Sequence, residues 1–379
     1  MKVEFFKHNV GSRELEDIKR TLDGLFLTTG REVERFERQL GEFLQLPHAL
    51  GVTSCTAAMQ IALTGLGVEP GDEVITTPLS FAATALAIIQ AGATPVFADV
   101  EPETGNLDPA QVEKAVTERT RAVLPVHLGG LMCDMHAMRK IADRNSLAIV
   151  EDAAHALESC REGVRVGELG DAACFSFYPT KSITSGEGGA VATRHSELDR
   201  KLRLLSYHGM SHSAQERYGK DDVSYQIVTM GWKYNMDNIH AALLHGQLER
   251  AREFHSRRQE LAARYRAMLE NVAGISLAPV HPDAHHAHHL FTLCVPPKQR
   301  AAFLRDMASR EVGVSVNYSP PIHLHPFFRE RYSFAEGDFP VAESIARTTV
   351  TLPLYPKLTD DEADYVAACV TELAAGFSG

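Results

Sequence analysis

A lysine that could form an imine lies in a loop between two β-rich runs of the sequence. Residues 175–189 read FSFYPTKSITSGEGG, and a strand is expected to end near Phe177, just before Lys181. A lysine beside the edge of a sheet can lose part of its hydration, which lowers the pKa of its amine and frees it to attack a carbonyl. The glycines that follow let the backbone pass close to whatever the lysine contacts. Because an isolated loop lysine is more often solvated, Lys181 alone does not predict this chemistry.

A carboxylate ends another apolar run. Residues 148–155 read AIVEDAAH, and Asp152 comes at the end of the predicted strand. Burying such an acid is costly unless it meets a cation or a strong donor. Pyridoxal phosphate (PLP) needs a lysine on its aldehyde and a carboxylate on its protonated ring nitrogen, and Lys181 and Asp152 supply both. Taken alone, Asp152 could also cap a helix or bind a metal, and we expect its neighbour Glu151 to be solvated.

A third segment, residues 51–63, runs from small and hydroxyl residues directly into a helical pattern, with Ser54, Thr56 and Ala57 at the expected start of the helix. Backbone N–H groups at a helix start, with hydroxyls beside them, form a site that suits a phosphate. The simpler alternative is that these hydroxyls only cap the helix.

The elements that must position these residues alternate between strands and helices from about Ala49 to Thr193. Such alternation is typical of α/β proteins, in which a mainly parallel central sheet is sandwiched by helices. Ligands of these sheets bind beyond the carboxyl ends of the strands, where Asp152 and Lys181 are both expected. The predicted strands are residues 73–76, 95–99, 122–127, 148–151, 173–177 and 190–193.

The pattern changes in the last third of the chain. Asp237 is the expected cap of one long helix that runs toward Asn271 and leads into a smaller α/β domain. We therefore predict a large domain of residues 1–250, with an N-terminal substrate-side segment 1–30, and a small C-terminal domain of residues 251–379. Within the small domain the predicted strands are residues 290–295 and 312–318, and the predicted helices are residues 300–310 and 360–375.

Composition excludes several classes of protein. The chain has 379 residues, of which 44% are hydrophobic and 23% charged, which rules out collagen, disorder and a disulfide scaffold. Its formal charge of −11, without any block of Lys and Arg, gives no reason to expect nucleic acid as a partner. Six scattered cysteines without a C-x-x-C pair, and a charged opening MKVEFFKH unlike a signal peptide, predict a cytoplasmic protein.

Two other features have simpler explanations than the functions they suggest. The uncharged stretch 74–98 is long enough for a membrane span, but Pro78, Gly92 and Pro95 interrupt it, so a buried strand–helix–strand is expected and no membrane contact. The histidine cluster at 285–289 could bind Zn or Ni. Because no acidic or cysteine ligands accompany it, no metal is predicted.

Taken together, these segments resemble the nucleotide-sugar aminotransferases of the DegT/StrS family, which are PLP enzymes of fold type I. The resemblance covers nearly the whole chain and is strongest to the transaminases that make UDP-4-amino-4-deoxy-L-arabinose, although it does not assign that substrate. The matching motifs are LTTG at 27–30, TSCTAA at 53–58, GDEVIT at 71–76, EDAAH at 151–155, FSFYPTK at 175–181, GEGG at 186–189 and YNMDNIHAA at 234–242.

The resemblance implies a role for four residues around the cofactor ring. Lys181 would form the Schiff base with PLP and then carry a proton between substrate and cofactor. Asp152 would hold the pyridinium nitrogen, Phe81 would stack on the ring, and His155 would lie near the phenolic oxygen. A plainer alternative for Phe81 is packing in the core.

The resemblance also implies how the phosphate is held. The backbone of Thr56 and Ala57 and the hydroxyl of Ser176 would bind it. Asn235 would reach the phosphate of the neighbouring subunit, so the active sites would be shared in a homodimer. The plainer alternative for Asn235 is a residue at a helix start.

On the substrate side, the resemblance suggests Thr29, Gly30 and His323 as contacts. His323 lies in a segment, NYSPPIHLH at 317–325, that is similar to a family loop near the substrate. The chain has His288 where the family often has Trp, and this difference leaves the sugar preference open.

The implied function is a ping-pong transamination in amino-sugar biosynthesis for lipopolysaccharide, O-antigen or another glycan, with L-glutamate as donor and a nucleotide-linked keto sugar as acceptor. Related dehydratases replace the lysine by histidine, and some add a cysteine cluster for iron–sulfur; neither change is seen here. A regulator that has lost activity would not need the pair of Asp152 and Lys181. The nucleotide, the aminated carbon and the choice between glutamate and glutamine stay open.

Overall fold

Seven strands form a central sheet in a computed structural model that describes residues 1–211 and 225–378. In chain order they are β1 (His48–Val52), β2 (Glu73–Thr76), β3 (Thr94–Phe97), β4 (Thr120–Leu124), β5 (Ala148–Asp152), β8 (Ala172–Ser176) and β9 (Gly189–Thr193). Two short strands, β6 (Cys160–Arg161) and β7 (Val164–Arg165), lie outside this sheet. The spatial order is β1-β9-β8-β5-β4-β2-β3, and β9 runs against its two neighbours while the other pairs are parallel. The mainly parallel sheet is therefore confirmed.

Helices cover both faces because each strand buries residues on both. On β2, Val74 and Ile75 belong to different core clusters, and so do Ile149 and Val150 on β5. Such continuous apolar strands are typical of parallel sheets. The helices over the first 250 residues are α1 (Ser12–Leu22), α2 (Arg31–Leu44), α3 (Cys55–Gly65), α4 (Ala83–Gln90), α5 (Pro109–Ala115), α6 (Met135–Asn145), α7 (Ser196–Ser206) and α8 (Asn238–Glu249).

The uncharged stretch 74–98 contains β2, α4 and β3, as predicted. Among the described residues, no helix has both the length and the apolar character that crossing a membrane requires. Strand β1 was not predicted, because its sequence HALGV is short and contains Ala and Gly, which have low strand propensity.

The long helix predicted from Asp237 to Asn271 is wrong in one respect. Asp237 does cap α8, but the helix breaks at Arg250 before α9 (Ala251–Leu269) continues. This break coincides with the predicted boundary between residues 1–250 and 251–379, and the division itself stays a prediction. The remaining elements are β10 (Ser276–Leu277), β11 (Ala284–His285), β12 (Phe291–Cys294), α10 (Pro297–Ser309), α11 (Pro326–Tyr332), α12 (Pro340–Thr348), β13 (Thr349–Leu352) and α13 (Asp360–Ala375).

The predicted strand at 312–318 is also wrong. Only two isolated bridges form there, between Val312 and Val3 and between Ser315 and Thr351. Because the two bridges face different partners, no continuous ladder can develop. The small sheet instead contains β13, which pairs with β12 and was not predicted.

Candidate active site

A cavity of about 420 Å³ opens at the carboxyl edge of the central sheet, where β5 and β8 end. Six of the residues proposed from the sequence line it. They are Thr56, Phe81, Asp152, His155, Ser176 and Lys181.

Lys181 follows β8 in a turn that is closed by a hydrogen bond from its own N–H to the carbonyl of Tyr178 at 2.9 Å. Burial lowers the pKa of its amine to about 8, although the nearby charge of Asp152 opposes that shift. An appreciable share of the amine is therefore uncharged near neutral pH, which is the form that attacks a carbonyl.

Asp152 is the last residue of β5 and is 5% exposed. One carboxylate oxygen accepts the hydroxyl of Thr84 at 2.8 Å, and the other accepts the N–H of Ala154 at 3.1 Å. Burial raises the pKa of Asp152, and these donors and the charge of Lys181 oppose the rise. Thr84 was not proposed from the sequence, although it closes the motif LSFAAT that contains Phe81.

Glu151 is fully buried, so the expectation that it is solvated was wrong. It points to the face of the sheet opposite Asp152, because neighbouring residues of a strand alternate. Its carboxylate accepts the N–H groups of Gly167 and Gly170 at 3.0 and 2.9 Å and meets Nε2 of His127 at 2.8 Å. Nδ1 of His127 accepts the N–H of Cys133, and its Nε2–H donates to Glu151.

The start of α3 faces the cavity through Thr56. Ser54 caps the helix, and its hydroxyl accepts the N–H of Ala57 at 3.1 Å, so that N–H is engaged within the chain. The backbone of Gly189 passes so close that a Cβ there would lie 2.3 Å from the carbonyl carbon of Ser54. Glycine is therefore required at this point, next to the N–H groups that the first helical turn leaves without intrahelical acceptors.

His155 lies between two rings that the sequence did not single out as partners. Its Nδ1 accepts the N–H of Gly129 at 3.2 Å, so Nε2 carries the proton and donates to the hydroxyl oxygen of Tyr318 at 3.1 Å. The ring of His289 stacks on His155 at 4.3 Å. Burial keeps the pKa of His155 well below its ordinary value, in agreement with a neutral ring. Tyr318 lines the cavity with its ring centroid 6.2 Å from that of Phe81, and its O–H can donate into the cavity.

Asn235 and Thr29 lie together in a second cavity of about 490 Å³. The amide of Asn235 donates to the hydroxyl of Thr29 at 2.6 Å, and Nζ of Lys233 donates to its carbonyl oxygen at 2.6 Å. Gly30 is the N-cap of α2 beside them. These residues do not line the cavity of Lys181 within the same chain.

The structure does not bring His323 to either cavity. Its side chain is completely buried, its Nε2 lies 3.2 Å from a carboxylate oxygen of Glu343, and its ring packs on Phe339. Tyr318 is the residue of that loop that lines the cavity of Lys181, and a contact between His323 and substrate stays a prediction.

The histidine cluster is packed rather than arranged around an ion. His286 stacks on His288, and burial lowers their pKa values to about 3 and about 4. In the described ranges, no group of three or more His, Cys, Asp or Glu side chains is placed to hold a metal.

Comparison with known proteins identifies the family of the chain. The model of the DegT/DnrJ/EryC1/StrS aminotransferase family matches residues 8–371. The spore coat polysaccharide biosynthesis protein SpsC of Bacillus subtilis is 41% identical over 373 residues, which cover 97% of this chain and 96% of SpsC.

Two solved structures show the same fold. DesV of S. venezuelae has a TM-score of 0.89 at 38% identity and covers 95% of this chain and 94% of its own. Spr1654 of Streptococcus pneumoniae in its PMP form has a TM-score of 0.94 at 28% identity, covering 99% and 100%. The fold is that of the fold type I aminotransferases, and the cofactor is PLP. The chain is an enzyme that belongs to the DegT/DnrJ/EryC1/StrS aminotransferase family, whose members include PLP-dependent sugar aminotransferases.

Proposed function

We propose that this enzyme moves the amino group of L-glutamate to a nucleotide-linked keto sugar by a ping-pong reaction. One observation supports this above the others: Lys181, whose pKa is lowered to about 8, and Asp152, a buried carboxylate, share one cavity at the edge of the sheet. Such a pair is what PLP chemistry requires.

The residues of the cavity fit the cofactor at three points. In the described part of the chain, Asp152 accepts hydrogen bonds from three neutral donors, namely Thr84, Ala154 and the thiol of Cys55. It has room for a cationic one, since a carboxylate can accept about four. The first turn of α3 and Ser176 supply donors for a phosphate. Phe81, 64% exposed, offers an apolar face. When bound, PLP supplies a protonated ring that withdraws electrons from the reacting carbon.

Lys181 then acts as the base of the cavity. Because its pKa is lowered to about 8, a minor fraction of the amine is uncharged near neutral pH, and in that form Nζ can accept a proton from the substrate carbon and return it. Tyr318, held by the Nε2–H of His155, presents its O–H to the same space. The ping-pong order follows if donor and acceptor use this one site in turn.

We further propose a homodimer with shared sites. Asn235 and Thr29 lie away from Lys181 in their own chain, where they can serve the cofactor and substrate of a partner. Exposed apolar side chains flank both cavities, as expected of a surface that is covered in the assembly. Phe81 and Tyr178 line the cavity of Lys181, and Ile227 pairs with Met210 at the second cavity. All six cysteines are free thiols, which suits the reducing cytoplasm.

The proposal is tested with Lys181→Ala and, as control, Lys140→Ala, which changes an exposed lysine on α6. Both proteins receive PLP, then L-glutamate, then a panel of nucleotide-linked keto sugars. Wild type and Lys140→Ala should absorb in the visible range, release 2-oxoglutarate and aminate at least one sugar. Lys181→Ala should do none of these while unfolding at an unchanged temperature.

The outcomes separate the alternatives. Transamination by Lys181→Ala at the wild-type rate would refute the assignment of the lysine. Loss of water from the sugar without 2-oxoglutarate would identify a dehydratase. A wild-type protein that stays colourless with PLP would be a non-catalytic member.

A further inference from the structure

A buried ion pair lies directly behind the loop that carries Lys181. Arg258 on α9 donates through Nη2 to a carboxylate oxygen of Glu158 at 2.7 Å, and the two side chains are only 3% and 4% exposed. The other oxygen of Glu158 accepts the hydroxyl of Ser182 at 3.1 Å. Ser182 is the residue next to Lys181, so three side chains connect α9 to the lysine.

The same arginine also holds the other side of the cavity. Nε of Arg258 donates to the carbonyl of Ala287 at 3.1 Å. The backbone around Ala287 is fixed by hydrogen bonds to Gly129 and Gly130, and His289 in this segment stacks on His155. One guanidinium therefore fixes both the lysine loop and the histidine that faces it.

Stability alone does not account for this arrangement. Burying two charges costs solvation, which an ion pair repays only when its remaining polar atoms are satisfied. Nη1 of Arg258 is buried without a hydrogen-bond partner in the parts of the chain that the structure describes. An incompletely satisfied pair is a poor stabilising device, whereas a planar guanidinium that donates to two segments orients both.

We propose that Ser182, Glu158 and Arg258 are positioning residues that hold Lys181 in the orientation needed to capture PLP. None of them lines the cavity of Lys181, so each acts through a neighbour. The inference rests on the proposed role of Lys181.

The test uses apoprotein and three variants. Ser182→Ala removes the link while leaving the ion pair intact, and Ser182→Thr keeps the hydroxyl. Thr193→Val removes a buried hydroxyl at the far end of β9, which donates to the carbonyl of Asp171 at 2.6 Å. The charged and titratable groups that face Lys181 are unchanged in all of them. These groups are Asp152, Cys55, His155 and His289, together with Glu187, Tyr178 and Tyr318 in the lining of the same cavity.

The rate of PLP capture is followed by absorbance from pH 6 to 10, and the modified lysine is located by borohydride reduction and mass spectrometry. Wild type, Ser182→Thr and Thr193→Val should show a midpoint near pH 8, the pKa of Lys181. Ser182→Ala should capture PLP about tenfold more slowly at pH 7, with its midpoint moved upward because a freer lysine is better solvated. The unfolding temperature of Ser182→Ala should match that of Thr193→Val.

Capture by Ser182→Ala with the wild-type rate and midpoint would overturn the inference and leave the function of Lys181 untouched. An equal loss in Thr193→Val would also overturn it, because general loosening would then explain both. If wild type placed no PLP on Lys181, the proposed function itself would fail.

Discussion

Substitution of Thr84 tests directly how the ionised form of Asp152 is stabilised for binding a cation. Its side chain is 1% exposed, and its hydroxyl donates to Asp152 at 2.8 Å. Burial raises the pKa of Asp152, and Thr84 is the first of the groups that oppose the rise. Thr84→Val keeps the branched shape and removes the hydroxyl, so it should raise the pKa of Asp152 further.

The size of the effect depends on pH. A hydrogen bond to a charged group contributes about 1.5–3 kcal/mol, which corresponds to roughly 10- to 100-fold in affinity. Below the pKa of Asp152 in the apoprotein, the carboxyl is neutral before PLP binds and ionised afterwards, so the full loss appears in PLP affinity. Above that pKa, Asp152 is ionised both before and after PLP binds, so Thr84→Val lacks the donor in both states. The difference in PLP affinity between the variant and wild type then shrinks. Thr84→Val should therefore bind PLP most weakly at low pH and approach wild type as pH rises.

The assay is a titration of apoprotein with PLP over a pH range that extends below the pKa of Asp152, followed by absorbance. Thr64→Val is the matched control, since the hydroxyl of Thr64 donates to a helix carbonyl, that of Gln60, at 3.0 Å. Wild-type affinity below that pKa would refute the role given to Thr84. A deficit of the same size at every pH would also refute it, because a packing defect does not depend on the charge of Asp152.

Two further predictions concern Glu151 and Asn235. Glu151→Gln removes a charged acceptor of three donors and should lower the free energy of unfolding by about 3–5 kcal/mol. For a chain of 379 residues this lowers the unfolding temperature by roughly 4–6 °C. The control Glu103→Gln, at an exposed position, should change that temperature by less than about 1 °C, and equal unfolding temperatures for the two variants would contradict the buried role of Glu151. Lys181→Ala and Asn235→Ala should each be inactive, but mixed subunits should recover about a quarter of wild-type activity, because half of the dimers then hold one complete site; no recovery after verified subunit exchange would exclude shared sites.

The sequence predicted the parts of the fold that depend on local pattern. Short apolar runs separated by capped helices predict a covered parallel sheet, and the observed caps at Asp108 and Asp134 follow that pattern. Asp152 and Lys181 could be located because each follows the end of a predicted strand. The strand predicted at 312–318 does not form, because the backbone partners of this segment lie in two distant parts of the chain and local pattern does not reveal them.

Contacts between distant segments could not be predicted in the same way. Tyr318 meets His155 across 163 positions, and Arg258 meets Glu158 across 100. No spacing rule relates such residues, and a buried arginine cannot be told from an exposed one by type alone. His323 and Tyr318 lie in the same loop, and only packing decides that the tyrosine faces the cavity.

Glu151 and Asp152 are adjacent buried acids, and their hydrogen-bond partners explain why only one of them is proposed to bind the cofactor. Both lie on β5, and the alternation of the strand sends them to opposite faces that helices cover equally. Glu151 is saturated by His127 and two backbone donors, so it has a structural role. Among the described residues, Asp152 accepts two short hydrogen bonds and a longer one from the thiol of Cys55, all from neutral donors. Its pKa is raised because burial outweighs the groups that oppose the rise. A buried carboxylate with unused acceptor positions at the edge of a cavity is stabilised by a cationic donor. The protonated ring nitrogen of PLP is such a donor, and the aldehyde of the same cofactor reacts with a lysine like the neighbouring Lys181.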